Sequence, residues 1–333
     1  MTEDRLQDIT VAPPGADNPR NTEGDIVELK DGRLLLVYTR FRGSTSDAAN
    51  ADLYGMYSSD SGRIWDKPFL VKENDAQQNV MSVSLLRLKS GDLMLGYLRK
   101  NSDRDCRFVL RRSSDEGKTW GPEVLVTEPT SYYVVNNARV VQLSSGRLLV
   151  PAADHRDISK RPNSPAVCFV SDDEAKTWRR GPGEVRLGGI GCQEPGLVEL
   201  KDGRVYMIVR NSLGTIYRAI SEDGGLTWIQ PASTGLVSPV APSTISRVPS
   251  TGDLIMIWNN SSTSRRVPLT AAVSSDEGQT WSHVRDLETE GQSFAYTSVT
   301  WVRDKAVLSH WSQMPGGYGL KVKVVPVKWF YGE

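Results

Sequence analysis

The sequence predicts an all-β fold, a six-bladed β-propeller of four-stranded antiparallel blades spanning residues 1–333 as one domain. Two repeats and their spacing predict it. An eight-residue box occurs five times, as SSDSGRIW, SSDEGKTW, SDDEAKTW, SEDGGLTW and SSDEGQTW, with aspartates at Asp60, Asp115, Asp173, Asp223 and Asp276. A hairpin pattern precedes each box: VELKDGRLLLVY, LLRLKSGDLMLGY, VVQLSSGRLLVP, LVELKDGRVYMIV and ISRVPSTGDLIMIW, with a degenerate sixth copy, SVTWVRDKAVLSHW. The box aspartates lie 50 to 58 residues apart, so six such units consume the chain and leave no second domain.

Each unit begins with a hairpin because its D-G, S-G or T-G pair supplies a positive-φ turn between two runs of alternating apolar and polar residues. The box then fits the turn from third to fourth strand. Its Asp accepts hydrogen bonds from turn amides, its Gly permits left-handed backbone, and its Trp offers an apolar plate for packing between sheets. The sixth unit lacks a box. There the strand-like LKVKVVPVKWF from Leu320 can pair with an N-terminal strand near Leu6 to Val11 and close the ring.

Bulk properties narrow the function. Forty basic and forty acidic residues give zero formal charge, which leaves no global field for nucleic acid or a membrane surface. Neither a basic start followed by an apolar run nor an apolar stretch of membrane-spanning length occurs, so a cytoplasmic protein is expected. Cys106, Cys168 and Cys192 are odd in number and lack C-x-x-C spacing, which reads as buried reduced thiols rather than a disulfide framework or zinc site. No cofactor or metal is expected; the expected partner is a small glycan.

The boxes resemble the Asp-box, or BNR, repeats of the sialidase superfamily, and the resemblance covers the whole chain. In that setting the boxes are peripheral, so function rests on other residues. Gln193-Glu194-Pro195 enters the fourth hairpin and Arg210-Asn211 ends it, sixteen residues separating Glu194 from Arg210. Hydrolytic sialidases resemble this closely. Phe294-Ala295-Tyr296-Thr297-Ser298-Val299-Thr300 looks like the segment that carries the sialidase nucleophile. A phenol suits a substrate bearing a carboxylate on its anomeric carbon, because an anionic nucleophile would be repelled, and a nearby Glu can take the phenol proton. Tyr296 and Glu194 thereby acquire complementary roles.

The resemblance implies an acid/base carboxyl between the first hairpin and first box, where Asp47 lies thirteen residues before Asp60 and Asp52 is the alternative. Such a group needs a raised pKa. Sialidases also hold the substrate carboxylate with three arginines, whose planar forks make bidentate bonds. Arg210 matches one, and Arg266, ten residues before Asp276 and followed by V-P-L-T, matches another, with Arg265 as its neighbour. The third belongs in an R-I-P segment that this chain lacks: the register falls on Thr22 or Glu23, with Arg20 two residues early. Asn136, Asn137, Arg139, Asp154, His155 and Arg156 bracket the third hairpin and are expected on the same face. Trp258, Trp301 and Trp311 could stack on a sugar or fill space between blades. The whole implies a retaining exo-glycosidase for a terminal acidic sugar, sialic acid or a related ulosonic or uronic acid; the alternatives are a carbohydrate-binding propeller without activity and a relative acting on another sugar.

Overall fold

The computed structural model describes residues 6–129, 131–156 and 163–333. Among the described residues the named elements are β-strands and a short 3-10 turn at Val327–Tyr331. β1 (Gln7–Ala12) stands before the first unit, which comprises β2 (Arg20–Glu28), β3 (Leu34–Phe41), β4 (Ala51–Ser58) and β5 (Phe69–Lys72). The second unit is β6 (Asn79–Arg87), β7 (Leu93–Ser102), β8 (Asp105–Ser113) and β9 (Val124–Leu125). In the third, the first strand is broken into β10 (Tyr133–Val134) and β11 (Val141–Gln142), followed by β12 (Leu148–Asp154), β13 (Ala166–Ser171) and β14 (Arg179–Arg180). The fourth is β15 (Gln193–Glu199), β16 (Val205–Arg210), β17 (Thr215–Ser221) and β18 (Ala232–Val237). The fifth is β19 (Thr244–Arg247), β20 (Leu254–Asn259), β21 (Leu269–Ser274) and β22 (Ser282–Glu288). The last is β23 (Phe294–Val302), β24 (Lys305–Met314) and β25 (Gly317–Pro326), and β1 completes it by pairing antiparallel with β25, Gln7 opposite Val324. Four-stranded antiparallel blades of this kind make a propeller.

One sheet has eight strands because the first and last units are joined, yet the join is a single parallel pair, Arg20 with Tyr318. Apolar burial follows the units. The hydrophobic clusters span neighbouring units, such as Val27, Leu35, Val80 and Leu95 between the first and second, and Ile26, Leu36, Val307 and Val322 between the first and last. The box tryptophans Trp65, Trp120, Trp178, Trp228 and Trp281 all pack partly buried into these seams. Every box lies between third and fourth strands, as its turn chemistry requires. In the fourth copy the Asp223 carboxylate accepts from Ser221 Oγ, the Leu226 and Thr227 amides and Thr227 Oγ1, at 2.6 to 3.1 Å. The equivalent bonds to the ionised form pull the half-buried Asp115, Asp173 and Asp276 carboxyls down to about 2, which marks them as structural.

A feature with no sequence signature recurs near the start of the first strand. Between Thr22 and Asp25, Met81 and Ser84, Gln193 and Gly196, and Ala295 and Ser298, two residues oppose one on the neighbouring strand. The leading residue of each bulge has positive φ: Glu23 at 51°, Ser82 at 60°, Glu194 at 37° and Tyr296 at 62°. Each such non-glycine residue costs about 1–2 kcal/mol, and a bulge re-aims the side chain it carries.

Candidate active site

Two of those bulges face each other across the mouth. Glu194 from β15 and Tyr296 from β23 meet there, the Tyr296 hydroxyl donating to Glu194 Oε1 at 3.0 Å. The second Glu194 oxygen is held by Arg210 at the end of β16. Burial alone would push the Glu194 carboxyl up, but Arg210, the Tyr296 hydroxyl and Arg266 prevail and hold it below the ordinary range. Burial and the adjacent Glu194 charge raise Tyr296 well above an ordinary phenol. The pair therefore rests as carboxylate plus neutral phenol, with the proton already bonded to the base that would receive it.

They sit at one end of a cavity of about 500 Å³. Arg20, Arg210 and Arg266 line it, with Asp47, Gln193 and Trp311. The sequence register placed Thr22 or Glu23 at the first arginine's position, and the structure corrects this. Arg20, at the start of β2, stacks over the Phe41 ring at 4.2 Å and its guanidinium enters the cavity. Glu23 is 1% exposed and outside the cavity lining; it accepts from Arg20 Nη2 at 2.7 Å and from Thr22 Oγ1 at 2.8 Å, so it braces the arginine from below. Three arginines thus converge after all.

Asp47, on the loop after β3, binds Arg20 Nη1 at 2.5 Å. Its partial desolvation beside the cavity tends to raise the carboxyl, yet Arg20 prevails and Lys100 and Arg210 add to it, leaving the largely exposed Asp47 below its ordinary value instead of above it as an acid requires. Asp52 is excluded from the site: it is 2% exposed, paired with Arg42 at 2.5 Å and bonded by the Asn74 amide.

The third unit departs from expectation. Asn137 is fully buried and donates to the Gly24 and Tyr296 carbonyls at 2.8 and 3.0 Å, supporting the backbone instead of facing a sugar. His155 is buried, stacked on Tyr132 with centroids 6.1 Å apart, and is not among the cavity's lining residues. Arg139 lies 3% exposed, while Asp154 pairs with Arg156 and Arg180. Arg265 is exposed and outside the cavity. Trp258 is core, Trp301 donates to Ser246 Oγ in a seam, and Trp311 alone of the three reaches the cavity. Sequence reasoning missed Thr45, Ser293 and Tyr318, which also line it; Tyr318 packs edge-on against Trp311 at 4.9 Å. The Arg20–Tyr318 strand pair that brings Tyr318 there has no local signal. Among the described residues no group of three or more His, Cys, Asp or Glu is arranged to hold a metal. In a cleft of about 650 Å³ on the opposite face, among the Ser144–Arg147 hairpin tip and the box loops at Asp172 and Asp223, the Ser144 hydroxyl donates to Glu199 Oε1 at 2.6 Å, an exposed contact that ties the third hairpin to the fourth unit.

Residues 73–308 match the BNR repeat-like domain family. The chain belongs to that family. Among curated relatives, this BNR-repeat chain is 33% identical over 294 residues to a sialidase of Micromonospora viridifaciens, covering 75% of this chain and 43% of that one. It is 23% identical over 321 residues to a sialidase of Bacteroides fragilis, with 85% and 58% covered. The chain thus spans about half the length of these relatives, which place it in the sialidase superfamily. Among solved structures, a protein of unknown function from Dyadobacter fermentans has a TM-score of 0.80 at 18% identity, with 96% of this chain and 98% of that one covered. Trypanosoma rangeli sialidase, solved with a difluoro-KDN ligand, has a TM-score of 0.76 at 17% identity, with 98% and 59% covered. No helix among the described residues is long and apolar enough to cross a membrane.

Proposed function

We propose that this protein is a retaining exo-glycosidase of the sialidase type, releasing a terminal sugar that carries a carboxylate on or beside its anomeric carbon. The observation that carries the proposal is the Tyr296–Glu194 hydrogen bond at 3.0 Å inside a cavity lined by Arg20, Arg210 and Arg266. In the first step the Tyr296 oxygen bonds to the anomeric carbon as the bond to the leaving oxygen breaks; the phenol proton passes to Glu194, and Asp47 gives its proton to the leaving oxygen. In the second, Asp47 takes a proton from water, the water oxygen displaces tyrosine, and Glu194 returns its proton to the phenolate. Two displacements preserve configuration. The three guanidinium groups hold the sugar carboxylate by charge-assisted bonds, and Trp311 and Gln193 wall the pocket. Once the substrate carboxylate occupies Arg20, Asp47 loses its partner, and the added negative charge raises its pKa when an acid is needed. A related sialidase, from Trypanosoma rangeli, is described with 2,3-difluorosialic acid as a covalent intermediate, in keeping with this reading.

In the same reading the boxes are Asp-boxes, the two halves of the eight-stranded sheet are separate blades, and the chain is one six-bladed domain. The single strand pair between those halves and the apolar seam they share support it. The test is release of 4-methylumbelliferone from α-sialosides, α-ketodeoxynonulosonides, uronides and neutral glycosides by wild type and Tyr296→Phe. Activity on one acidic glycoside, lost in the variant, supports the mechanism; silence across the panel by folded protein favours a carbohydrate-binding propeller, and activity on a neutral sugar alone removes the carboxylate clamp.

A further inference from the structure

Below the cavity the first strands converge on the propeller axis, and small residues there leave room for one large side chain. Arg139, from the interrupted first strand of the third unit, fills it. Its amide donates to Ser84 Oγ of the second unit at 3.0 Å, and its Nη2 donates to the Ser243 carbonyl of the fifth at 2.7 Å. In the fourth unit Gly196 makes space: a Cβ there would stand 3.4 Å from the guanidinium carbon. Asp25 of the first unit is the buried countercharge, its carboxylate accepting from the Leu85 and Ile26 amides at 2.8 and 2.9 Å and from Ser298 of the last. The guanidinium is 3% exposed and its Nε has no hydrogen-bond partner, so solvation does not explain a charge in this place. The charged neighbours are Glu194 and Asp25, with Tyr296.

We propose that Arg139 is a positioning residue for the nucleophile pair, its buried positive charge closing the axis beneath Tyr296 and Glu194 and favouring the carboxylate of Glu194 as proton acceptor. This rests on the reading of Glu194 as the base. Two guanidinium groups, Arg210 and Arg266, act on Glu194 from the cavity side; Arg139 acts from beneath, where a bound substrate cannot draw it away. Burial lowers the Arg139 pKa to about 10, and Glu194, Asp25 and Tyr296 oppose that fall, so it remains a cation at neutral pH. Burial raises Asp25 to about 7, so its countercharge is incomplete in the same range. The net charge under the pair is therefore positive.

The test is a carbon NMR titration of the Glu194 carboxyl, assigned with Glu194→Gln, in wild type, Arg139→Met and Arg139→Lys, beside their pH–rate profiles. In Arg139→Met the Glu194 midpoint should rise by about one pH unit, a tenfold change in proton affinity, and the acid limb of kcat/KM should move with it. Arg139→Lys, which keeps the charge, should restore the midpoint to within a few tenths of a unit of wild type. An unmoved midpoint in folded Arg139→Met overturns the proposal, as does an equal rise in the methionine and lysine variants. Should Arg139→Met fail to fold, Arg139→Gln decides: removing the charge while keeping a polar side chain should raise the Glu194 midpoint, and a fall or no change refutes the role. The titration needs no turnover. An inactive wild type with a midpoint that responds to Arg139 sinks the glycosidase reading alone, whereas an active enzyme with an unresponsive midpoint sinks this one alone.

Discussion

Binding of a carboxylate-bearing inhibitor should draw protons from solution, and Arg20→Met should weaken the effect. In the free protein the Arg20–Asp47 contact at 2.5 Å holds Asp47 below its ordinary value of 3.8. A hydrogen bond to a charged group contributes about 1.5–3 kcal/mol, and the 71% exposure of the Asp47 side chain places this one at the lower end through solvent screening. At 1.36 kcal/mol per pH unit, surrendering Arg20 to the ligand raises Asp47 by about one unit, more once the ligand's own negative charge is beside it. Calorimetry of DANA, a ligand of a related sialidase, at pH 4.5 in buffers of different ionisation enthalpy should therefore register an uptake of a few tenths of a proton, fading toward pH 7. In Arg20→Met, Asp47 is already released, so uptake should shrink to the part the ligand's own charge supplies, while affinity falls about tenfold or more. Equal uptake by the two proteins, or none by wild type, would refute the exchange.

Tyr296→Phe should lower kcat by at least about a thousandfold on any glycoside the wild type cleaves, with Tm within a few degrees of wild type, since it removes one hydroxyl and leaves the ring in place; a small drop in kcat would remove tyrosine as nucleophile. Asp25 carries a stability signature. Its folded pKa of about 7 lies above the unfolded value of about 3.9, so between these pH values the native state retains a proton that the unfolded chain has released, and stability falls as pH rises. The urea-derived stability difference between wild type and Asp25→Asn should decline from pH 4 to 7 and then level; a rise across that window would contradict the assignment. Gly278→Ala should cost about 2–4 kcal/mol by denaturant unfolding, because φ is 81° and the new Cβ would lie 2.7 Å from the buried Tyr206 ring. Ala175→Gly, at the equivalent box position with φ of 66°, should be near neutral, relief of strain offsetting loss of one buried methyl.

What the sequence made legible was whatever a local rule encodes. The D-G, S-G and T-G pairs mark hairpin tips, and Gly32, Gly91, Gly146, Gly203 and Gly252 take positive φ there. The boxes carry their hydrogen bonds within eight residues, so their place between strands could be read directly. Glu194, Tyr296, Arg210, Arg266 and Asp47 were found by register, and the structure brings all five to one cavity. The bulges were illegible because Glu23, Ser82, Glu194 and Tyr296 occupy a glycine-like conformation without glycine. That is why Arg20 looked two residues out of place: its reach depends on a bulge no turn rule announces. Residues 136–139 were misplaced for the related reason that strand pairing lapses between β10 and β11, turning Asn137 and Arg139 inward.

The pairing of β1 with β25 has a consequence for the order in which the protein assembles. On the ribosome Gln7–Ala12 emerges long before its partner, Gly317–Pro326. The apolar edge of the first unit, including Ile26 and Leu36, therefore waits for nearly the whole chain before Val307 and Val322 cover it. Contacts of such sequence separation form late and slowly. Lys321, bonded to Asp8 and to Glu288 at 2.9 Å, fastens this seam once it has formed. The same seam offers an opening molecule the shortest route apart, so amides of β1 and β25 should exchange with solvent in step, ahead of those in the interior hairpins.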